Sequence, residues 1–305
     1  MKSSIELKKD EIIDSHTHCG GVLLSNLLSG SYPYSQNTLD LVRKMHTNKV
    51  KYSICFPFPL GELLGGLFTP ELYNSILAKE VYTFGDNSLL PFAFIRLDDT
   101  LSRQIIHIEK LLNDYSFYGI KIYPPCDKYC LCDYHVEQTL TSFLIAHDLP
   151  LISHTSFSGF GNPDIILRFA ETHPKIRITL AHAARFKITV LSQLMQFPNV
   201  FIDCSPLHML CAVMQNKIMR DNKIFDDFSF DNPPQVLFQL ATMFPNQLIW
   251  GTDSPCTFLT NFAENAIAEY SPQYSYESEI RTLHSLPVSY IQQIANINTL
   301  RFLNG

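Results

Sequence analysis

Several kinds of sequence feature are missing from this chain, and each absence narrows what it can be. No run reaches the roughly 18 consecutive apolar residues of a membrane span, and the opening MKSSIELKKDEIIDSHTH holds no apolar stretch of signal-peptide length. The expectation is a soluble, cytoplasmic protein without a membrane partner. Lysine and arginine never gather into a basic stripe, and a net charge of -6 with a pI near 6.0 disfavours a nucleic-acid surface. Eight cysteines in 305 residues are too dilute for a disulfide scaffold and are read as reduced thiols. A glycine-rich phosphate loop is missing too. Gly61, Gly65 and Gly66 in PLGELLGGLF lack the spacing and the strand-turn-helix setting of a dinucleotide site.

What is present is a chain that is 46% hydrophobic with mean hydropathy near zero, ample for a large core. Short apolar, β-branched runs recur at even intervals: EIIDSHTH (11–18), KYSICFPF (51–58), LPFAFIRL (90–97), YGIKIYPP (118–125), LPLISHTS (149–156), IRITLAHA (176–183), NVFIDCSP (199–206) and QLIWGTDSP (247–255). Each reads as a strand that ends in a polar residue, proline or glycine. Segments with helical spacing lie between them, among them 39–45, 105–112, 136–146, 165–172, 190–197 and 236–244. Eight strand-helix repeats with strands apolar on both faces predict a single-domain (β/α)8 barrel spanning residues 1–305, with an open doubly wound sheet as the alternative.

Three connections exceed what a barrel requires: 19–38 after strand 1, 57–71 after strand 2 and 205–235 after strand 7. All leave C-terminal strand ends, where such barrels place their chemistry, and read as lids or pocket walls. The ending LPVSYIQQIANINTLRFL reads as a closing amphipathic helix, and the aromatic-rich PQYSYESEI (272–280) as a surface loop.

The polar residues at the C-terminal strand ends converge in a barrel. They are His16 and His18 on strand 1, Arg96 on strand 3, Lys121 on strand 4, His154 on strand 5, His182 on strand 6, Asp203 on strand 7 and Asp253 on strand 8. His16 and His18 share one face of an extended strand, about 7 Å apart, within reach of one ion. Zinc and similar divalent ions take imidazole nitrogen and carboxylate oxygen, so His16, His18, His154 and Asp253 form a candidate metal shell. Zinc is the first choice, with manganese, iron and cobalt allowed by the same ligands.

IIDSHTH, LISHTS, TLAHAAR and LIWGTDSP, in this order on strands 1, 5, 6 and 8, resemble the amidohydrolase superfamily. NVFIDCSP before a long loop, GIKIYP on strand 4 and the ending IANINTLRFL resemble its amidohydrolase-2 branch, which includes aminocarboxymuconate-semialdehyde decarboxylase. The resemblance implies that His16, His18 and His154 bind metal, that Asp253 ligates the ion or touches its water, and that His182 is a catalytic or substrate-orienting histidine. Asp253 would carry a proton from the water to the leaving group, and His182 would donate to the substrate carbonyl. The expected reaction is hydrolysis of an amide, lactone or ester in a small molecule. Non-oxidative decarboxylation on the same site is the enzymatic rival, and a catalytically silent metabolite-binding barrel the non-enzymatic one.

Lys121 divides two branches. In binuclear relatives such as dihydroorotases a strand-4 lysine is carbamylated and bridges two metals; otherwise Lys121 is a pocket amine beside one metal. Arg185 and Arg96 are candidate clamps for a substrate carboxylate, and an acidic substrate is favoured if either faces the pocket. Cys126, Cys130 and Cys132 cluster after strand 4, but a closed metal site would need a fourth ligand from elsewhere. Relatives of this kind often form homodimers, although no interface can be read from one sequence.

Overall fold

The computed structural model describes residues 5, 7–8, 10–20, 36–57, 69–215, 228–257 and 274–305. In chain order the elements are β1 (Ile12–His18), α1 (Thr38–Thr47), β2 (Val50–Phe56), α2 (Pro70–Phe84), β3 (Leu89–Ile95), α3 (Leu101–Leu111), β4 (Gly119–Ile122), α4 (Tyr134–Ala146), β5 (Leu151–Ser153), α5 (Pro163–Thr172), β6 (Ile178–Leu180), α6 (Ile188–Leu191) and β7 (Val200–Asp203). They continue with α7 (Leu207–Gln215), α8 (Pro233–Met243), β8 (Leu248–Ile249), α9 (Tyr276–His284), α10 (Val288–Gln292), a π-helical turn (Gln293–Ile297) and α11 (Asn298–Asn304).

The eight strands are neighbours in sequence order, and every pair from β1·β2 to β7·β8 is parallel. The ring closes between the segment after β8 and β1. Ser15 N donates to Trp250 O at 3.0 Å, Asp253 N to His16 O at 2.7 Å and His18 N to Ser254 O at 2.7 Å. The expected (β/α)8 barrel is therefore the observed one. Among the described residues no helix is long and apolar enough to cross a membrane.

Three helices start alike, with a polar cap followed by proline: Thr69 before Pro70, Asn162 before Pro163 and Asn232 before Pro233, each cap side chain accepting a backbone N–H of the first turn. Proline there gives up a hydrogen bond the helix could not make anyway.

The barrel has two apolar layers. Ile120 and Ile122 of β4 belong to the outer one, between sheet and helices. The inner one takes Ile13, Ile54, Phe92, Ile152, Phe201 and Ile249 from the strands, together with Phe302 and Leu303 from α11. Phe302 plugs this inner layer, its ring 6.1 Å from Phe92 and 5.5 Å from Phe201. Phe92 leaves no room opposite: a Cβ on Gly119 would lie 2.2 Å from its ring.

β1 carries a bulge that matters for function. Asp14 pairs with Ser53 but Thr17 pairs with Cys55, three residues advancing against two. The extra residue shifts the alternation. Ile13 can thus join the inner core while His16 and His18, three and five residues later, also turn inward.

Two expectations change. The connection after β7 opens with a nine-residue helix, α7, rather than loop. PQYSYESEI is not a surface loop: α9 begins at Tyr276, capped by Ser275 in a reciprocal box with Ser278, and Tyr276 and Glu279 are buried. Apolar residues at Tyr276, Ile280 and Leu283 have helical spacing, which the polar residues between them obscure. Much of the long connections after β1, β2 and β7 (21–35, 58–68 and 216–227), including Gly61, Gly65 and Gly66, lies outside the described residues.

Truncating the plug should be costly. Phe302→Ala is expected to lower stability by about 3–5 kcal/mol, the usual range for emptying a buried phenylalanine site. The check is a lower urea midpoint at unchanged slope.

Candidate active site

At the C-terminal mouth of the barrel, His16 Nε2 lies 3.3 Å and His18 Nε2 3.0 Å from the same oxygen, Asp253 Oδ1. All three residues are buried, and their facing ligand atoms lie within 4.8 Å of one another. The hydrogens of both rings are committed on the far side. His16 Nδ1 donates to Asp203 Oδ2 at 2.9 Å, and His18 Nδ1 to the Pro57 carbonyl at 3.3 Å. With Nδ1 of each ring donating outward, the inward Nε2 atoms and Asp253 Oδ1 are the atoms that a cation can join, each offering it an electron pair in place of a shared proton. The donor set therefore fits a divalent ion of the zinc type, with outer partners that fix each imidazole's tautomer.

Backbone geometry places Asp253. The donation from its own N–H to His16 O brings its carboxylate to the β1 histidines, and its φ of +59° turns the chain there. Such a conformation is rare outside glycine, and aspartate is among the residues that tolerate it best. Gly251 permits the close approach, since a Cβ on it would sit 2.8 Å from His16 Cβ and 2.9 Å from His16 N. Asp14 pins the turn by accepting from Thr252 N at 3.0 Å and Thr252 Oγ1 at 2.7 Å.

Asp203, in the sequence one polar strand end among several, ties three strands together. Besides His16, it accepts from His182 N at 3.0 Å, Ser205 N at 3.0 Å and Ser205 Oγ at 2.7 Å. Its position at the end of β7 was the available signal.

His154 and His182 form a second pair. His182 Nε2 lies 2.8 Å from His154 Nδ1, His182 Nδ1 donates to Ser205 O at 2.6 Å, and His154 Nε2 accepts from Arg185 Nη2 at 3.3 Å. His154 is thus turned toward His182 and Arg185, outside the His16, His18 and Asp253 group, and both nitrogens of His182 are engaged within the protein. Arg185 Nε also donates to Thr155 O at 2.8 Å. Tyr123, which the sequence reading passed over, lays its ring 4.3 Å from that of His154. It stands two residues after Lys121, so alternation from β4 would have pointed it inward.

Lys121 is buried, and among the described residues its Nζ has no hydrogen-bond partner; it lies 4.6 Å from the centre of the Phe56 ring. Phe56, at the end of β2, also packs edge-on to His16 and His18. Arg96 sits one residue past β3, with Nε 3.6 Å from Asp98 Oδ2 and Nη2 donating to Cys126 O at 3.4 Å. Cys130 and Cys132 are close, Cys132 N donating to Cys130 Sγ at 3.4 Å, but among the described residues the His16, His18 and Asp253 set is the one grouping able to hold a metal.

Burial governs the charges. It drives His16, His154 and His182 well below the ordinary imidazole range, aided by Lys121 at His16, by His182 and Arg185 at His154, and by Arg185 and His16 at His182. It also lowers Lys121 to about 8 and Arg185 to about 10. Behind the seam, burial raises Asp14 to about 7 and Glu279 to about 8. Glu279 accepts from His208 N at 3.0 Å in the first turn of α7.

A parallel eight-stranded barrel with two histidines on β1 and an aspartate after β8 gathered at its C-terminal mouth has the architecture of a metal-assisted hydrolase. A family model described as amidohydrolase, Amidohydro_2, matches residues 89–269, more than half of the chain. The chain belongs to the amidohydrolase family, in its amidohydrolase-2 branch.

No curated protein matches the chain. Solved structures share its fold at low identity. A protein from Acinetobacter baumannii described as "probable 2-pyrone-4,6-dicarboxylic acid hydrolase", with citric acid bound, is 12% identical at a TM-score of 0.62, over 97% of this chain and 100% of that one. Dihydroorotase from Campylobacter jejuni is 14% identical at 0.59, over 97% and 85%. 4-Oxalomesaconate hydratase from Rhodopseudomonas palustris is 13% identical at 0.60, over 96% and 95%.

Glu279 makes a stability prediction. Its carboxyl, raised from 4.5 to about 8, keeps a proton in the folded chain that the unfolded chain has lost. The Glu279 contribution to stability therefore falls as pH rises from about 4.5 to about 8, against the rise that the three depressed histidines contribute. Glu279→Gln should remove the falling contribution, so that the stability of the variant relative to the unaltered chain grows from pH 5 to pH 8 in urea unfolding.

Proposed function

We propose that this chain is a metal-dependent hydrolase that cleaves an amide, lactone or ester bond in a small carboxylated molecule. The observation that carries the reading is the convergence of three potential ligand atoms, His16 Nε2, His18 Nε2 and Asp253 Oδ1, around one point. His16, His18 and Asp253 would hold the ion. A bound divalent ion supplies Lewis acidity toward a carbonyl oxygen and brings the pKa of a water down to about 7.

The remaining work belongs to side chains. Asp253 Oδ2, which lies 3.9 Å from His182 Nδ1, is the carboxylate oxygen not shared by His16 and His18, and it would accept a proton from the attacking water and return it to the leaving group. Lys121 and Arg185 supply positive charge beside neutral histidines, and the unpartnered Lys121 ammonium is a ready counter-charge for a substrate carboxylate. Phe56 keeps water from one side of that ammonium.

Two cations, the buried Lys121 and the half-buried Arg185, also bear on the decarboxylase alternative. A carboxylate gripped by them is stabilised as an anion, which opposes its departure as carbon dioxide and suits its use as a handle. One structural neighbour is named for hydrolysis of a pyrone dicarboxylic acid, a carboxylated lactone, which supports starting from that substrate class. The test is a panel of carboxylated lactones and amides with parallel detection of released acid and carbon dioxide. Acid release supports the hydrolase; carbon dioxide release replaces it with the decarboxylase.

Two further outcomes are expected. Protein purified without chelator or histidine tag should carry about one divalent ion per chain by mass spectrometry, lost in His16→Ala and kept in Lys121→Ala; two ions falling on loss of Lys121 would show the carbamate-bridged form. Asp203→Asn removes the charge that orients His16 and should weaken ion affinity by roughly 10–100-fold in competition with a chromophoric chelator, while the unfolding midpoint reports that the fold persists.

A further inference from the structure

The residues from His182 to Phe186 all have positive φ, between 48° and 60°. This is a left-handed helical turn of five residues without a glycine, a conformation that side chains with a Cβ disfavour. Such strain persists only where surroundings over-determine it, and it tends to sit at functional sites. Ala183 and Ala184 are fully buried, and the turn brings His182 and Arg185 onto the same neighbour, His154.

The hydrogen bonds along that turn permit one proton pattern. At one end stands the Ser205 carbonyl, which can only accept. At the other stands the Arg185 guanidinium, which can only donate. Starting from Ser205, His182 Nδ1 must carry a hydrogen, so the neutral ring's Nε2 accepts. His154 Nδ1 must then carry one, leaving His154 Nε2 as a lone pair. Starting from Arg185, His154 Nε2 must be a lone pair, and the same assignment runs back to Ser205. Two independent ends impose one answer.

We infer that Ser205, His182, His154 and Arg185 form a one-way hydrogen-bond relay that presents Arg185 to the pocket, with His154 as its positioning residue and not an ion ligand. This rests on the metal-site reading only for the last clause. His154 has no electron pair left for an ion, since one nitrogen is protonated and the other is taken by Arg185. Arg185 spends Nε on Thr155 O and one Nη2 hydrogen on His154. Among the described residues its Nη1 hydrogens and the second Nη2 hydrogen take no hydrogen-bond partner and form a planar fork for an anion.

The experiment is long-range 1H–15N NMR of histidine-labelled protein, with and without 113Cd, His154 and His182 being assigned from the resonances lost in His154→Gln and His182→Gln. The relay requires Nδ1–H, Nε2-lone-pair shifts on both residues in either sample, and 113Cd–15N coupling at His16 and His18 but none at His154. An Nε2–H tautomer on either residue overturns the relay, and a coupling at His154 overturns its exclusion from the ion. If cadmium does not bind, the metal reading falls while the tautomers still decide the relay. Arg185→Met separates the two ends: the Ser205 carbonyl alone still directs the pattern through His182, so both histidines should keep Nδ1–H in that variant, whereas a mixture of tautomers on His154 would show that the order does not run from Ser205 and would overturn the relay.

Discussion

The seam between β1 and the segment after β8 is the constraint on which the rest of the molecule depends. Closing an eight-stranded ring requires backbone pairing between its first and last strands, and here Ser15, His16 and His18 supply it with Trp250, Asp253 and Ser254. The same bonds build the site. Because Asp253 N–H reaches His16 O, the Asp253 carboxylate falls beside the Nε2 atoms of both histidines. Gly251 makes the approach sterically possible, and Asp14 holds Thr252 so that the turn into Asp253 is repeated in every molecule. A loosened seam would lose fold and chemistry together.

Around that seam, burial sorts the charges. Imidazoles withdrawn from water stay neutral and keep lone pairs for an ion or for a donor such as Arg185. Lys121 and Arg185 remain the local positive charges, held down by burial but above neutrality. The pocket thus combines a cation-accepting corner with an anion-accepting wall, and Phe56 separates them by touching His16, His18 and Lys121 at once.

Much of this was legible in the residues before any coordinates. The eight apolar, β-branched runs correspond one for one to the eight strands, because parallel strands buried on both faces must be continuously apolar. The two-residue spacing of His16 and His18 placed them on one side, and GTDSP put an aspartate at the last strand end. Other features were not legible. α9 was hidden because Ser275, Ser278 and Glu279 are polar yet buried, Ser275 and Ser278 as a capping box and Glu279 beneath the first turn of α7. Asp203 and Tyr123 looked ordinary, since their importance comes from partners on other strands.

By itself, then, the sequence determined the barrel, the order of its strands and the residue types delivered to its mouth, because hydrophobic periodicity is a local property that every run carries within itself. Only the tertiary structure decided which of those residues meet. His154 joins His182 and Arg185 rather than the His16, His18 and Asp253 corner, Lys121 is left without a hydrogen-bond partner among the described residues, and five residues at His182–Phe186 take a left-handed turn. Each outcome depends on donors, acceptors and excluded volume brought from distant parts of the chain, and no local pattern encodes those.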